Sequence, residues 1–243
     1  MDTPSNMYAE AETWNPFKGC NFDCTYCKPS FQRQAMRQGR TKSKKPGGCQ
    51  DCYRYIPHAH ENRLRTIPGT EIVFVCGNAD ISFCPPDFTR KIIEAVKSHL
   101  PRARKKKTFF FQSKKPSYFR QFLKEFPPEV ILLTTLETNR DQGYRQISEA
   151  PLPSVRYRQF KSLAYPRKVV TIEPVMDFDL TTFVQWIVDL HPEYVFLGFN
   201  SKPESVELPE PSAEKVQKFM EKLTVAGIKI KGKTLRGLQV PQP

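Results

Sequence analysis

No apolar run in the chain approaches the ~20 residues that cross a bilayer, so no membrane partner is expected. Residues Met1 to Glu12 are polar and acidic and lack the basic and apolar regions of a secretory signal. The expected location is the reducing cytoplasm. No RRM or KH signature marks an RNA module, and no appended peptide-recognition domain stands out. Cysteine is scarce, seven in 243 residues, and nothing marks a disulfide scaffold. Acidic residues are in deficit, 25 against 38 Lys and Arg, for a net charge of +13. The basic excess gathers at Arg33 to Lys45, at Arg102 to Lys107 and at Lys114-Lys115. Such runs suit a polyanion, because neutralised phosphates release counterions. They also read as ordinary solvated faces.

The few cysteines are unevenly placed. Cys20, Cys24 and Cys27 fall within eight residues, spaced C-x3-C-x2-C, with Tyr26 before the last. Three soft thiolates on one loop suit three irons of a 4Fe–4S cluster. The loop offers no fourth ligand, which leaves one iron open to a small molecule. The other reading is a zinc knuckle completed by a distant ligand. A second group follows: Cys49 and Cys52, spaced C-x2-C, with His58 and His60 close behind. His-x-His on an extended segment points both side chains to one face. Zinc, an auxiliary iron–sulfur cluster and plain reduced thiols all remain open there. Cys76 and Cys84 read as core or loop thiols.

The periodicity is that of an α/β protein. Apolar strands are expected at Glu10 to Asn15, Glu71 to Cys76, Thr108 to Gln112, Val130 to Leu136, Val169 to Ile172, Tyr194 to Leu197 and Ile228 to Ile230. Helices are expected at Ser30 to Gln38, Pro86 to Leu100, Ser117 to Phe126, Val155 to Ala164, Leu180 to Leu190 and Ser212 to Val225. Val155 to Ala164 reads as a short basic helix, residues 139–153 as irregular, and Gly39 to Gly48 as a mobile loop. Such alternation makes a parallel sheet with right-handed crossovers, a (β/α)6-type partial TIM barrel. A single domain over 1–243 is expected: first strand and loop (10–27), a basic Cys-containing insertion (28–68), the remaining units (70–232) and a tail (233–243). Folds of this kind carry function on loops after the strand ends. Here those ends are polar: Asn78 and Asp80, Ser113 and Lys114, Glu137 and Asn139, Glu173, and Asn200. Taken one at a time, such residues also read as helix caps and turns.

The Cys20-Cys24-Cys27 motif resembles the signature of the radical S-adenosylmethionine (radical-SAM) enzymes. Further motifs narrow the likeness: Trp14-Asn15-Pro16, His60-x-x-Arg63-Leu64, Phe74-Val75-x-x-x-x-Asp80, Lys114-x-Pro116, Glu137-Thr138-Asn139, and Ile172-Glu173-Pro174 followed by Asp179-Leu180. Together they resemble a small phage and prokaryotic radical-SAM family with no assigned reaction, over about residues 13–200. The chain departs from that family in its basic segment, its Cys49/Cys52 pair and its short C-x3-C spacing. It also has Gly198-Phe199-Asn200 where a Gly-Gly-Glu-Ser-like turn is usual, which weakens a binding role for Asn200.

The resemblance implies that Cys20, Cys24 and Cys27 hold a 4Fe–4S cluster and that S-adenosylmethionine chelates its open iron. It implies that Tyr26 lies beside S-adenosylmethionine and that Gly77 and Asn78 receive its amino group, with Asp80 in the same turn. Ser113, Lys114, Thr135, Glu137 and Asn139 would bind ribose and carboxylate, and Glu173 ribose or substrate. An electron donor such as flavodoxin or ferredoxin is implied. The charge favours modification or repair of a nucleic acid, as spore photoproduct lyase performs by the same resemblance. A peptide side chain or a small metabolite is the alternative substrate. Outside catalysis, the alternative is a metal-bearing nucleic-acid-binding module.

Overall fold

The computed structural model describes residues 11–37, 48–232 and 234–241. The core is a seven-stranded sheet. Its strands are β1 (Ala11–Trp14), β4 (Ile72–Val75), β5 (Thr108–Gln112), β6 (Val130–Thr135), β7 (Lys168–Ile172), β8 (Tyr194–Leu197) and β9 (Ile230–Gly232). They lie in that order, every pair parallel, and curl strongly into a half-barrel. A separate two-residue ribbon pairs β2 (Phe17–Lys18) with β3 (His58–Ala59).

Strand alternation builds two layers. Phe74, Phe110, Ile131, Leu133, Val169 and Phe196 form the apolar layer on one face. Their neighbours Val73, Val75, Phe109, Phe111, Val130, Leu132, Val170 and Val195 join the larger core on the other. Both faces are buried, so the strands read as unbroken apolar runs rather than alternating ones. Burying a phenylalanine contributes about 2–3 kcal/mol, and this sheet buries several completely.

The outer core is closed by helices. Pro86–His99 starts with proline in its first turn and buries Phe88, Ile92, Ile93 and Val96. Leu180–Leu190 buries Phe183, Ile187 and Leu190. Ala213–Val225 is capped by Ser212, whose side chain accepts from the Lys215 amide, and buries Val216, Phe219, Met220 and Leu223. Among the described residues, no helix is long and apolar enough to cross a membrane.

Several elements differ from the sequence expectation. The helix expected at Ser117 to Phe126 is a 3-10 turn, Pro116–Phe122, followed by turns. Its aromatic residues pack in a cluster around Phe126 that overrides helical spacing. The helix expected at Val155 to Ala164 runs over Pro153–Lys161, since proline is favoured in a first turn. The helix after the cysteine loop opens with a π-type turn, Lys28–Gln32, and continues to residue 37. Gln38 lies outside the described residues, as do 39–47 of the expected mobile loop and Glu10 of the first strand. The expected last strand, Ile228 to Ile230, pairs two residues later.

The second basic run sits at the wrong end for a strand-end site. It precedes Thr108, at the N-terminal edge of β5. Its last member, Lys107, is buried and donates to the carbonyls of Pro68 (2.7 Å) and Thr70.

Candidate functional site

The chain leaves β1 at the C-terminal rim of the sheet and turns into the cysteine loop there. The Asn15 Oδ1 accepts from the Asn78 amide at 2.8 Å, and the Gly19 amide donates to the Asn78 carbonyl at 3.0 Å. These bonds tie the loop to the turn after β4. Gly19 has φ +91°, and a Cβ there would lie 2.3 Å from the Ile56 carbonyl carbon and oxygen. Only glycine meets both demands. Gly19→Ala is expected to cost about 1–3 kcal/mol from backbone strain alone. Chemical denaturation would read that loss; wild-type stability would show that the loop tolerates a side chain.

One cavity of about 1000 Å³ gathers most of the expected site. Cys20, Cys24 and Cys27 line it with Tyr26, Gly77, Asn78, Asp80, Lys114, Thr135 and Glu173. Gly77 is needed for space: an added Cβ would meet Thr13 at 2.7 Å and Phe74 at 2.8 Å. Asn200 also lines the cavity, but its amide donates to the Val206 carbonyl and its oxygen accepts from the Lys202 amide. Three expected residues stand outside the lining. Ser113 is fully buried and donates to Asp80 at 2.7 Å. Glu137 is fully buried behind the wall. Asn139 accepts from the Asp179 amide at 2.9 Å. Ser113 and Glu137 therefore act through Asp80 and Lys114 rather than by touching a ligand.

The wall behind the cysteines is a buried charge network. Lys114 Nζ lies 3.4 Å from Cys24 Sγ and 2.6 Å from Glu137 Oε1, and also meets the Tyr26 hydroxyl. Tyr26 donates to Glu137 as well, and Tyr144 does so at 3.1 Å. Arg156, fully buried, lies 2.7 Å from Glu137 Oε2 and donates to the Thr135 carbonyl at 2.6 Å. Burial works to raise the Glu137 pKa, but Arg156 and Lys114 outweigh it and hold the carboxyl down to about 2. Burial likewise opposes the Lys114 ammonium, and Cys24 and Glu137 hold it above its ordinary value. Burial pushes Asp80 up, partly offset by the Lys114 amide, Ser113 and Ser82.

Burial also pushes the Cys27 thiol up to about 12 and the Cys20 thiol well above its ordinary value. Left alone, both stay protonated at neutral pH. A bound metal reverses this, because coordination deprotonates a thiol outright.

Sequence reasoning missed four contributors. Residues 144–150, expected to be irregular, scaffold the loop: Thr25 donates to the Ile147 carbonyl, Glu149 to the Phe22 carbonyl, and Ser148 Oγ sits 3.0 Å from Cys24 Sγ. Arg156 belongs to the helix read as short and basic. Its signal was position, since Pro153, Arg156 and Phe160 share the buried stripe. Gln112 ends β5 in the cavity; its amide nitrogen donates to Thr135 Oγ1 at 3.0 Å, while its buried Oε1 has no hydrogen-bond partner among the described residues. Tyr55, which follows the short helix Gln50–Arg54, lines the cavity too. Of the first basic run, Arg33 and Arg37 also line it; 38–45 lie outside the described residues.

Cys49, Cys52, His58 and His60 converge at a separate place. Their ligand atoms all lie within 4.8 Å of one another, and among the described residues no other such set is found.

No protein-family model matches the chain, and no curated protein matches it. A solved structure described as a mandelate racemase/muconate-lactonizing enzyme from Roseovarius nubinhibens ISM, complexed with magnesium, aligns with a TM-score of 0.38 at 11% identity. The alignment covers 89% of this chain and 44% of that one, so the chain spans less than half the length of that protein. Likeness at this level carries no argument about function.

Proposed function

We propose that this chain is a radical-SAM enzyme that modifies or repairs a nucleic acid, built on a (β/α)6-type partial TIM barrel whose insertion carries the second Cys/His group. The observation that carries the reading is the shared cavity: three loop cysteines and the polar ends of six strands, β1 and β4 to β8, line one space. The donor set fits the cofactors. The three thiols on one loop are soft ligands of the kind that suit three irons of a cluster. When bound, the cluster and S-adenosylmethionine supply reductive cleavage to methionine and a 5′-deoxyadenosyl radical that takes a hydrogen atom.

The chain's own residues do the rest. Cys20, Cys24 and Cys27 hold three irons. Gly77 and Asn78 give a backbone that a ligand can approach closely, with the S-adenosylmethionine amino group as the guest. Lys114 offers its charge to a carboxylate, and Gln112, Thr135 and Glu173 offer polar atoms to ribose; the unpartnered Gln112 Oε1 suits a hydroxyl donor. Phe22, Phe74, Tyr55 and Phe199 supply apolar wall that excludes water. Arg33, Arg37 and Lys202 add cationic lining, which suits phosphate. An electron donor of the flavodoxin or ferredoxin kind serves as reductant.

The test is anaerobic reconstitution with S-adenosylmethionine and dithionite, adding RNA, DNA or protein from cell extract in separate reactions. Formation of 5′-deoxyadenosine is expected, and a nucleic-acid fraction is expected to raise it and pass label into it. Absence of 5′-deoxyadenosine from a cluster-loaded protein sinks the reading. Stimulation by the protein fraction alone reassigns the substrate.

A further inference from the structure

We infer that Cys49, Cys52, His58 and His60 form a closed, structural zinc site that clamps the insertion against the cysteine loop. Tetrahedral zinc, with Zn–S about 2.3 Å and Zn–N about 2.0–2.1 Å, sets neighbouring ligand atoms about 3.3–3.8 Å apart. Here His58 Nε2 lies 3.3 Å from both Cys49 Sγ and Cys52 Sγ, and His60 Nε2 lies 3.1 Å from Cys52 Sγ and 2.8 Å from His58 Nε2. These four pairs lie at or slightly inside the spacing that the metal would set, and all four atoms lie within 4.8 Å of one another, around one point. That spacing suits one ion and leaves no room for the several irons of a cluster. The mixed thiolate–imidazole set is a zinc set.

The local structure presents the four ligands from a short helix and an extended segment, joined by a left-handed turn at Tyr55. Cys49 precedes the short helix Gln50–Arg54, and Cys52 lies within it and is buried. His58 and His60 flank Ala59 on extended chain, so both imidazoles reach one side. His58 Nδ1 lies 2.6 Å from the Ile56 carbonyl, the contact that keeps the proton on Nδ1 and frees Nε2 for a metal. Two thiols lose their protons on binding, and two thiolates neutralise the dication. With all four positions taken by protein, the site has no opening for a substrate and so serves structure.

The clamp answers a physical need. A five-residue helix and a two-residue ribbon are too short to persist alone. Yet this segment carries Tyr55 to the cavity, and its Ile56 backbone abuts Gly19, one residue before Cys20. The β2–β3 pairing joins Lys18 to His58, and the His60 amide donates to the Pro16 carbonyl at 2.6 Å. The metal therefore fixes one wall of the cavity and the approach to its first cysteine.

Metal analysis of the full chain tests this independently of the radical-SAM reading. In a Cys20→Ala/Cys24→Ala/Cys27→Ala variant, about one zinc per chain is expected, with no iron, as four protein ligands on one ion require. His58→Ala should lose the zinc, and His58→Cys should keep it, because Cys3His is also a zinc set. Cobalt substitution should give the spectrum of a tetrahedral thiolate site, and chelation should open 48–60 to protease before the barrel. Iron with sulfide that tracks Cys49 and Cys52, or a folded triple variant with no metal, overturns the inference.

Discussion

Cys24→Ala is expected to abolish cleavage of S-adenosylmethionine: 5′-deoxyadenosine formed under dithionite falls to the no-enzyme background, and bound iron falls with it. The loop has three sulfurs, so a cluster held there by Cys20, Cys24 and Cys27 would lose one of its three protein ligands. Cys24 is also the most enclosed of the three, at 7% exposed, with Ser148 Oγ at 3.0 Å and Lys114 Nζ at 3.4 Å. Cys24→Ser is no remedy, since a hard hydroxyl is a poor iron–sulfur ligand. Cys84→Ala is the control: that thiol is buried outside the cavity lining and should leave formation intact. Measuring iron, sulfide and 5′-deoxyadenosine on the same preparations checks both halves. Normal turnover by Cys24→Ala would remove the basis of the proposed function.

The second large effect is on stability. Arg156→Ala is expected to cost about 3–5 kcal/mol, because it strips a partner from a buried carboxylate. For a chain of this size that lowers Tm by roughly 10 °C. Glu137 keeps Lys114 at 2.6 Å, but the Thr135 carbonyl loses its donor and a side-chain void opens in a fully buried site. The pH dependence has a definite sign. The Glu137 carboxyl is held at about 2 in the folded chain, below its ordinary 4.5. Its contribution is therefore complete above about 4.5 and is lost as pH falls towards 2. Without Arg156, burial pushes that carboxyl back up towards its unfolded value, so less stability is lost on acidification and the gap between the two proteins should narrow as pH falls below about 4.5. Urea denaturation of both proteins at pH 7 and pH 4 reads this. Equal stability at pH 7 with the same acid limb would show that Arg156 does not support Glu137.

The strands and the outer helices were legible because they are local. A four- to six-residue apolar run bounded by polar turns announces a strand, and Phe183, Ile187 and Leu190 announce a helix face. The cysteine loop was legible because its three cysteines are neighbours in sequence. The polar strand ends were legible as a set, though not as individuals. Asp80, Lys114, Thr135 and Glu173 reach the cavity, whereas Ser113 and Glu137 sit behind it and Asn139 accepts from the distant Asp179 amide. Which of two adjacent polar residues faces a ligand depends on side-chain direction at a strand end, where the two-residue period is already breaking down.

What the sequence determined by itself, then, is the alternation that makes a parallel α/β sheet, the place of Cys20, Cys24 and Cys27 on one loop, and a second set of ligand types at Cys49 to His60. Tertiary structure alone decided the rest. It brought Arg156 under Glu137, Ser148 to Cys24 and Tyr55 to the cavity, and it closed four metal-ligand atoms onto one point. These contacts join residues 19 to 124 positions apart, or turn on a backbone bend within a dozen. Local propensity carries no record of them, because they are stabilised by burial and charge pairing that exist only once the sheet has curled.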